Sequence, residues 1–318
     1  MMKKFISILL CISLVLGIGV VAFADEKIES KDRSEKDIKF IAKHYNVTEE
    51  YAKGLPDVTF NALKKEKPSG CTSDTRYFVL TEKKENKVLS DQLPENEFYN
   101  NIDENIIAKE VTVEEFENAR NKNGNVINAG DVSTIALLDS DITKDYGWVE
   151  LTTKIYYFAS SDNFFILNQT EYLQGSYFTL SPYIDFVSGI GTNSNMSIVN
   201  TSPYFKYEYT IINQQTGSVT DWTDSGYTAD FTRDDGYGFI LSIAQNPYIG
   251  HTNMRVYTSV LAEPNVSNLI LADAYGHFSR TQASIDMQSS LGVFGSNLSI
   301  EPVSKTTKVG PIHVQVER

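Results

Sequence analysis

The chain has 318 residues, a formal net charge of −13 at neutral pH and two cysteines. An acidic balance of this size is poorly suited to binding nucleic acid or anionic lipid, because binding by counterion release needs clustered lysines and arginines. The length is sufficient for one large domain or two.

The N-terminus has the pattern of a secretory signal peptide. Lys3 and Lys4 make the start of the chain basic, residues 5–21 are apolar, and Ala22-Phe23-Ala24 fits a cleavage site. An apolar run of ~17 residues is at the lower limit for a transmembrane helix, so cleavage after Ala24 is favoured over a membrane anchor. The expected product is secreted, without a stable transmembrane anchor. Cys71 would then be its single cysteine, which excludes an intramolecular disulfide and fits export from a Gram-positive bacterium.

Charge density divides the rest of the chain into two parts. Residues 25–130 are rich in charge and are predicted to form a helical or mixed N-terminal segment. A stretch rich in Asn and Gly ends this segment, and residues 131–146 are predicted to be a linker. Residues 147–318 contain repeated short apolar alternations separated by turns, which predict an antiparallel β-sandwich. The expected fold class is therefore α+β.

Helix starts in the N-terminal segment are marked by capping residues. Ser34 precedes an apolar stripe of helical period, and Thr48 precedes two glutamates. Thr112 and Glu115 have the spacing of a capping box before another helix. Residues 75–82 and 87–89 are predicted to form a strand pair between these helices.

The C-terminal part shows the period-2 alternation of half-buried strands. Residues 205–211 and 237–243 alternate in this way, and the most regular alternation is in residues 282–293. Residues 294–297 then form a predicted turn. A hairpin at this position is typical of an antiparallel sheet.

Four stretches of this part carry a resemblance to a known group of proteins, and they are residues 147–161, 193–210, 274–286 and 312–317. In these stretches the chain resembles uncharacterised exported proteins of Gram-positive bacteria. That group has a signal peptide, a variable helical front and a β-rich back that ends in a Tyr-Gly-His strand and a Ser-rich hairpin. The resemblance implies export and the β-rich fold, and it implies no activity or site residues.

No familiar catalytic motif is present in the sequence. It contains no G-x-S-x-G, no H-E-x-x-H, no P-loop and no Cys/His metal spacing, so we expect a protein that is not an enzyme. Asp273 and His277 lie on the same face of a predicted strand and could act together as acid and base or contact a ligand. The alternative is a polar strand face or a buried histidine. An extracellular hydrolase would need a third ionisable group that converges with this pair.

One acidic stretch has the spacing of calcium ligands. Asp139, Asp141, Asp145 and Glu150 place carboxylates at positions that a calcium loop uses. The glycine of such loops is replaced by Lys144, and the stretch runs into a strand instead of a helix. A solvated acidic linker is the alternative, and no other cofactor is expected.

Aromatic residues suggest a binding surface. Trp148 and Trp222 accompany many tyrosines in the β-rich part, and exposed rings of this kind can stack on sugars while polar neighbours bond the hydroxyls. Cross-strand aromatic pairs of an ordinary sheet are the alternative. The candidate ligand contacts are therefore Trp222, Trp148, Asp273 and His277.

The alternation of residues 282–293 has a second interpretation. Hairpins of pore-forming β-proteins also alternate, with an apolar side that includes Ile285 and a polar side that includes Ser284. Pro302 interrupts the return strand, and half-buried sandwich strands have the same pattern. We therefore expect a secreted, non-enzymatic binding protein of unknown extracellular ligand and unknown oligomeric state. The alternatives are a membrane-active, pore-forming-like β-protein and an extracellular hydrolase.

Overall fold

The computed structural model shows a few short helices and antiparallel β-sheets, so the predicted α+β class is confirmed. None of the helices in the described ranges combines the length and apolar character needed to cross a membrane. The residues that the structure describes are 33–82, 106–128, 145–174, 183–213, 216, 218–233, 236–244, 249–282, 290–294, 297–301 and 306–318. The proposed signal peptide lies outside them.

The helices begin where the capping residues predict. Ser34 and Thr48 each accept a hydrogen bond from the backbone N–H three residues later, at 3.1 Å in both cases. The capping box is reciprocal, since Thr112 N donates to Glu115 Oε2 at 2.8 Å and Glu115 N donates to Thr112 Oγ1 at 3.2 Å. These bonds satisfy backbone donors that have no partner within the helix. The helices are α1 (Glu35–Tyr45), α2 (Glu49–Gly54), α3 (Asp57–Leu63) and α4 (Val113–Asn128).

The strands form two main sheets, as in a β-sandwich, and a separate hairpin. The large sheet has eight strands in the order β2-β1-β3-β4-β11-β7-β8, with β6 also paired to β11. The small sheet has five, in the order β15-β12-β5-β10-β9, and β13 pairs with β14. The strands are β1 (Gly70–Glu82), β2 (Ile106–Val111), β3 (Asp145–Phe158), β4 (Asn163–Gln174), β5 (Tyr183–Thr192), β6 (Met196–Ile198), β7 (Tyr204–Asn213), β8 (Val219–Gly226), β9 (Phe231–Arg233), β10 (Gly236–Ala244), β11 (Ile249–Pro264), β12 (Leu271–Gln282), β13 (Ser290–Phe294), β14 (Asn297–Glu301) and β15 (Thr306–Glu317).

Strands from the N-terminal segment are part of the sandwich. β1 pairs antiparallel with β3, and the register places Gly70 opposite Tyr157 and Arg76 opposite Leu151. β2 pairs with the other side of β1. The partner predicted at residues 87–89 lies outside the described residues. The N-terminal segment therefore supplies the two outermost strands at one end of the large sheet.

The main core lies between the two sheets. Its large-sheet side includes Leu151 and Ile166, and its small-sheet side includes Ile190, Phe278 and Ile312, all of them buried. These side chains occupy alternate positions of their strands, because successive residues point to opposite faces. The alternating sequence pattern therefore arises because every second side chain of these strands enters this core and the others point to the outer faces of the sheets.

A buried polar centre lies inside this apolar core. Asn168 is fully buried, accepts a hydrogen bond from Thr153 Oγ1 at 3.0 Å, and donates from Nδ2 to the carbonyl oxygen of His277 at 3.0 Å. Thr153 and Asn168 occupy the volume that a side chain at the adjacent Gly276 would fill. Its missing side chain lets β12 approach the large sheet at this point.

A second core lies on the opposite face of the large sheet, under α1, α2 and α3. Ile41, Tyr45 and Tyr51 of the helices pack against residues that include Phe165 and Leu261 of the sheet. The Tyr51 hydroxyl donates to the Ser259 hydroxyl. The helices therefore cover one face of the large sheet, while the small sheet covers the other.

Candidate functional site

The candidate site lies at the free end of the large sheet, on the outermost strand β8. The register of β7 and β8 places Tyr209 opposite Trp222 and Tyr207 opposite Asp224. Residues directly opposite each other in an antiparallel pair share a face of the sheet. These four side chains therefore form one surface, which we call the aromatic edge: Tyr207, Tyr209, Trp222 and Asp224.

The rings follow one another from the core towards solvent. The Phe205 ring contacts the Phe239 ring of the small sheet, with centroids 4.6 Å apart. Phe205 and Tyr207 are parallel with centroids 6.1 Å apart, and Tyr207 and Tyr209 are parallel with centroids 6.2 Å apart. Both tyrosines are half-buried, whereas Trp222 is 50% exposed. The ring of Trp222, opposite Tyr209 in the register, is thus open to a ligand.

A carboxylate lies beside these rings. The Tyr207 hydroxyl donates to Asp224 Oδ2 at 3.0 Å, and the backbone N–H of Ser225 donates to the other oxygen at 2.7 Å. Burial, and then the negative charge of Asp224, raise the pKa of both Tyr207 and Tyr209, so the two hydroxyls stay protonated. Within the described residues no salt bridge neutralises Asp224. The aromatic edge therefore combines ring faces with an exposed hydrogen-bond acceptor.

The two tryptophans are on opposite faces of the large sheet. Trp148 is half-buried and lies between Val79 and Leu173 in the sheet register. Its neighbours Val149 and Leu151 point into the core between the sheets, so Trp148 points away from that core. Trp222 shares its face with Tyr209, which packs against that core. The structure therefore does not join Trp148 and Trp222 in one site.

Asp273 and His277 also have different surroundings. The Asp273 carboxylate pairs with His313 Nε2 at 2.8 Å and accepts from Gln315 at 2.5 Å and Asn193 at 2.6 Å. His277 is 6% exposed, and its Nε2 has no hydrogen-bond partner in the part of the chain that the structure describes. The histidine beside Asp273 is thus His313, and the carboxylate of Asp273 is held by uncharged amides on its other sides.

The predicted calcium ligands are only partly described. Asp139 and Asp141 lie outside the described residues, and Asp145 is described by its backbone in β3 alone. Glu150 accepts from Arg120 Nη2 of α4 at 3.1 Å. Burial and the neighbouring Glu171 raise the pKa of Glu150, and Arg120 opposes them. The described part of the chain contains no group of three metal-ligating side chains.

Sequence reasoning selected Trp222 but missed its neighbours Tyr207, Tyr209 and Asp224. The alternation of residues 205–211 predicts that Tyr207 and Tyr209 share one face. Residues 219–226 show no pattern that predicts a strand. Their side chains are exposed up to Ser225, so the strand lacks the apolar alternation that marks a half-buried one. The strand pairing that joins Asp224 to the tyrosines could not be inferred.

Comparison with known proteins gives no family for this chain. No family model matches it, and no curated protein matches it. Among solved structures, Clostridium perfringens delta-toxin matches with a TM-score of 0.24 and 9% identity over 53% of this chain and 82% of that chain. A structure described as a pore forming protein matches with a TM-score of 0.23 and 8% identity over 54% of this chain and 85% of that one. TM-scores of this size do not establish a shared fold.

Proposed function

We propose that this chain is an exported, non-enzymatic protein that binds carbohydrate on a cell or wall surface through the aromatic edge. The observation that supports this most directly is Trp222, a large ring that is 50% exposed and lies opposite Tyr209 in the register of β7 and β8. A ring face of negative electrostatic potential attracts the polarised C–H groups of a sugar ring. Asp224, beside it, can accept hydrogen bonds from sugar hydroxyls.

The rigidity of the aromatic edge favours binding. Tyr207 is fixed by its hydrogen bond to Asp224 and by the parallel rings on either side of it. The side chains therefore lose little conformational entropy when a ligand is bound, and preordered contacts of this kind give more affinity than mobile ones. Secretion by a cleaved signal peptide would place the aromatic edge outside the cell, where surface polysaccharide is available.

We expect Trp222→Ala to remove binding to insoluble cell-wall polysaccharide in a sedimentation assay. Loss of a central aromatic contact typically costs about 2 kcal/mol or more, which is roughly a thirtyfold loss of affinity. Stability should change by no more than ~0.5 kcal/mol, since the side chain is at the surface. Asp224→Asn should weaken binding less, because an amide oxygen still accepts.

Val219→Ala is the matched control for this experiment. Val219 is on the same strand and is 54% exposed, but its side chain points to the opposite face from Trp222. The control should bind as the wild type does. Equal binding by Trp222→Ala and the wild type would exclude the aromatic edge as the binding site.

We also propose a second function, action on membranes by the β13–β14 hairpin. The observation that favours it is the position of this hairpin. β14 contacts β5, β12 and β15 of the small sheet. Val187 and Ser279 of these strands point away from the core between the sheets, yet they are 1% and 0% exposed. The hairpin thus lies over the outer face of the small sheet as an extra layer.

Two buried polar atoms lie on this outer face. His277 Nε2 and Ser279 Oγ have no hydrogen-bond partner among the described residues. A buried polar group without a partner costs about 1–3 kcal/mol relative to one in water. Release of the hairpin from the small sheet would expose both groups to water. The packed position of the hairpin is therefore less stable than an apolar contact of the same area would make it.

Dye-loaded liposomes test this second function. We expect leakage when the secreted form is added, and we expect Ile285→Asp to abolish it, because an aspartate on the apolar side of a spanning strand is costly in lipid. Ile285 lies outside the described residues and is assigned to that side by its alternation. Ser284→Asp, on the polar side, is the matched control and should still cause leakage. Sealed liposomes with the wild type would reject the membrane function.

A further inference from the structure

Each outer strand of the large sheet has one strand partner within the described residues. β8 pairs with β7 alone, and β2 pairs with β1 alone. Natural proteins usually protect such edges with lysine, proline or a bulge, because unpaired backbone groups bind other strands. β8 contains no lysine or proline, and its register with β7 has no irregularity. Its charged side chains are Asp221 and Asp224, so it offers a regular template for a strand of complementary charge.

The side chains of the two edges are complementary. On β8, Trp222 points to the face of the large sheet that meets the small sheet. Val219 and Asp221 therefore point to the opposite face, the one that α1–α3 cover over other strands. On β2, Ile107 and Lys109 point to that same face, because Ile106 and Ala108 pack against the core between the sheets. Val219 is 54% exposed and Ile107 is 43% exposed. Each edge thus presents one apolar and one charged side chain, with opposite charges.

The direction of the strands fits this pairing. Neighbours in the large sheet are antiparallel throughout, so β2 and β8, separated by an odd number of strands, run in the same direction. A rotation about an axis along the strands therefore places β8 of one copy parallel to β2 of the next. Alignment of Asp221 with Lys109 then also aligns Val219 with Ile107, two residues away on each strand.

We propose that copies of this chain associate through their sheet edges, β8 of one copy against β2 of the next, with Asp221 paired to Lys109. Pairing of β8 with a second β8 is disfavoured, because it would bring Asp221 and Asp224 of both copies together. An interface between two different surfaces repeats from copy to copy, so it produces a ring or a filament and not a closed dimer. The aromatic edge stays accessible, because Trp222 projects from the sheet face and not from its edge.

The experiment uses the secreted form and two charge variants, Asp221→Lys and Lys109→Glu, in analytical ultracentrifugation at increasing protein concentration. The wild type should form species larger than a dimer. Each variant should sediment as a monomer, since each places like charges at the interface. The double variant Asp221→Lys/Lys109→Glu, which restores an opposite pair, should assemble again.

A mixture of the two single variants distinguishes this interface from other modes of association. In the mixture every contact between the two variants joins a lysine at one of the two positions to an acid at the other, so they should co-assemble in alternation into species larger than a dimer. A wild type that stays monomeric, or single variants that assemble as it does, would overturn the proposal. Thermal unfolding of each variant verifies that it is folded. Trp222→Ala should assemble normally, so failure of carbohydrate binding and failure of assembly are separable results.

Discussion

Gly276→Ala is expected to destabilise the protein by ~3 kcal/mol, the upper end of the usual cost of overpacking a core. An added Cβ would lie 1.9 Å from Thr153 Oγ1 and 2.2 Å from Asn168 Oδ1. Both side chains are buried, and Asn168 is held by its bond to the His277 carbonyl. Neither can move away without breaking a buried hydrogen bond. The midpoint of urea unfolding measures the effect.

Gly70→Ala is the matched control for that variant. Gly70 is also in a strand of the sandwich, but an added Cβ would come no closer than 3.1 Å, to Val316 Cγ2. A shift of a few tenths of an ångström in one methyl group relieves that contact, so we expect a change of less than ~1 kcal/mol. A Gly276→Ala protein as stable as the wild type would show that β12 does not approach Asn168 this closely.

Acid is expected to destabilise the fold through His277. Burial, with a smaller contribution from Lys308, lowers the pKa of His277 from 6.5 to about 4. Between these values the unfolded chain binds a proton at this histidine and the folded chain does not, so stability falls as the pH falls from 6.5 to 4. This difference in pKa corresponds to about 3 kcal/mol. Urea unfolding at neutral pH and near pH 4 measures it.

Variants distinguish the effect of His277 on stability from that of carboxylates that take up protons in the same pH range. His277→Gln cannot take up the proton, so its loss of stability between neutral pH and pH 4 should be smaller than that of the wild type by about 3 kcal/mol. His313→Gln is the control, because the His313 side chain is 42% exposed and its removal should not protect against acid. Equal acid sensitivity of His277→Gln and the wild type would contradict the burial of a neutral histidine. Under the hairpin proposal, the same protonation would favour release of β13–β14.

Local features of the fold were predictable from the sequence because their causes are local. Ser34, Thr48 and the Thr112–Glu115 box mark helix starts, since their hydrogen bonds join residues three positions apart. The alternation in β7 and β10 predicted strands, since each strand has one face on the core. β13 and β14 flank the predicted turn at residues 294–297, and Phe294 pairs with Asn297 across it. Residues 283–289 of the longer predicted strand lie outside the described residues.

The sequence by itself thus determined the α+β class, the helix starts and the alternating strands, while the tertiary structure decided which strands are neighbours. β8 has no apolar period because both of its faces meet water, so only its pairing with β7 shows that Trp222 and Asp224 stand beside the tyrosines. Asp273 and His313 are far apart in the chain and meet because β12 pairs with β15. Contacts of this kind depend on strand order and register, which are set by the packing of the whole core and not by any short stretch.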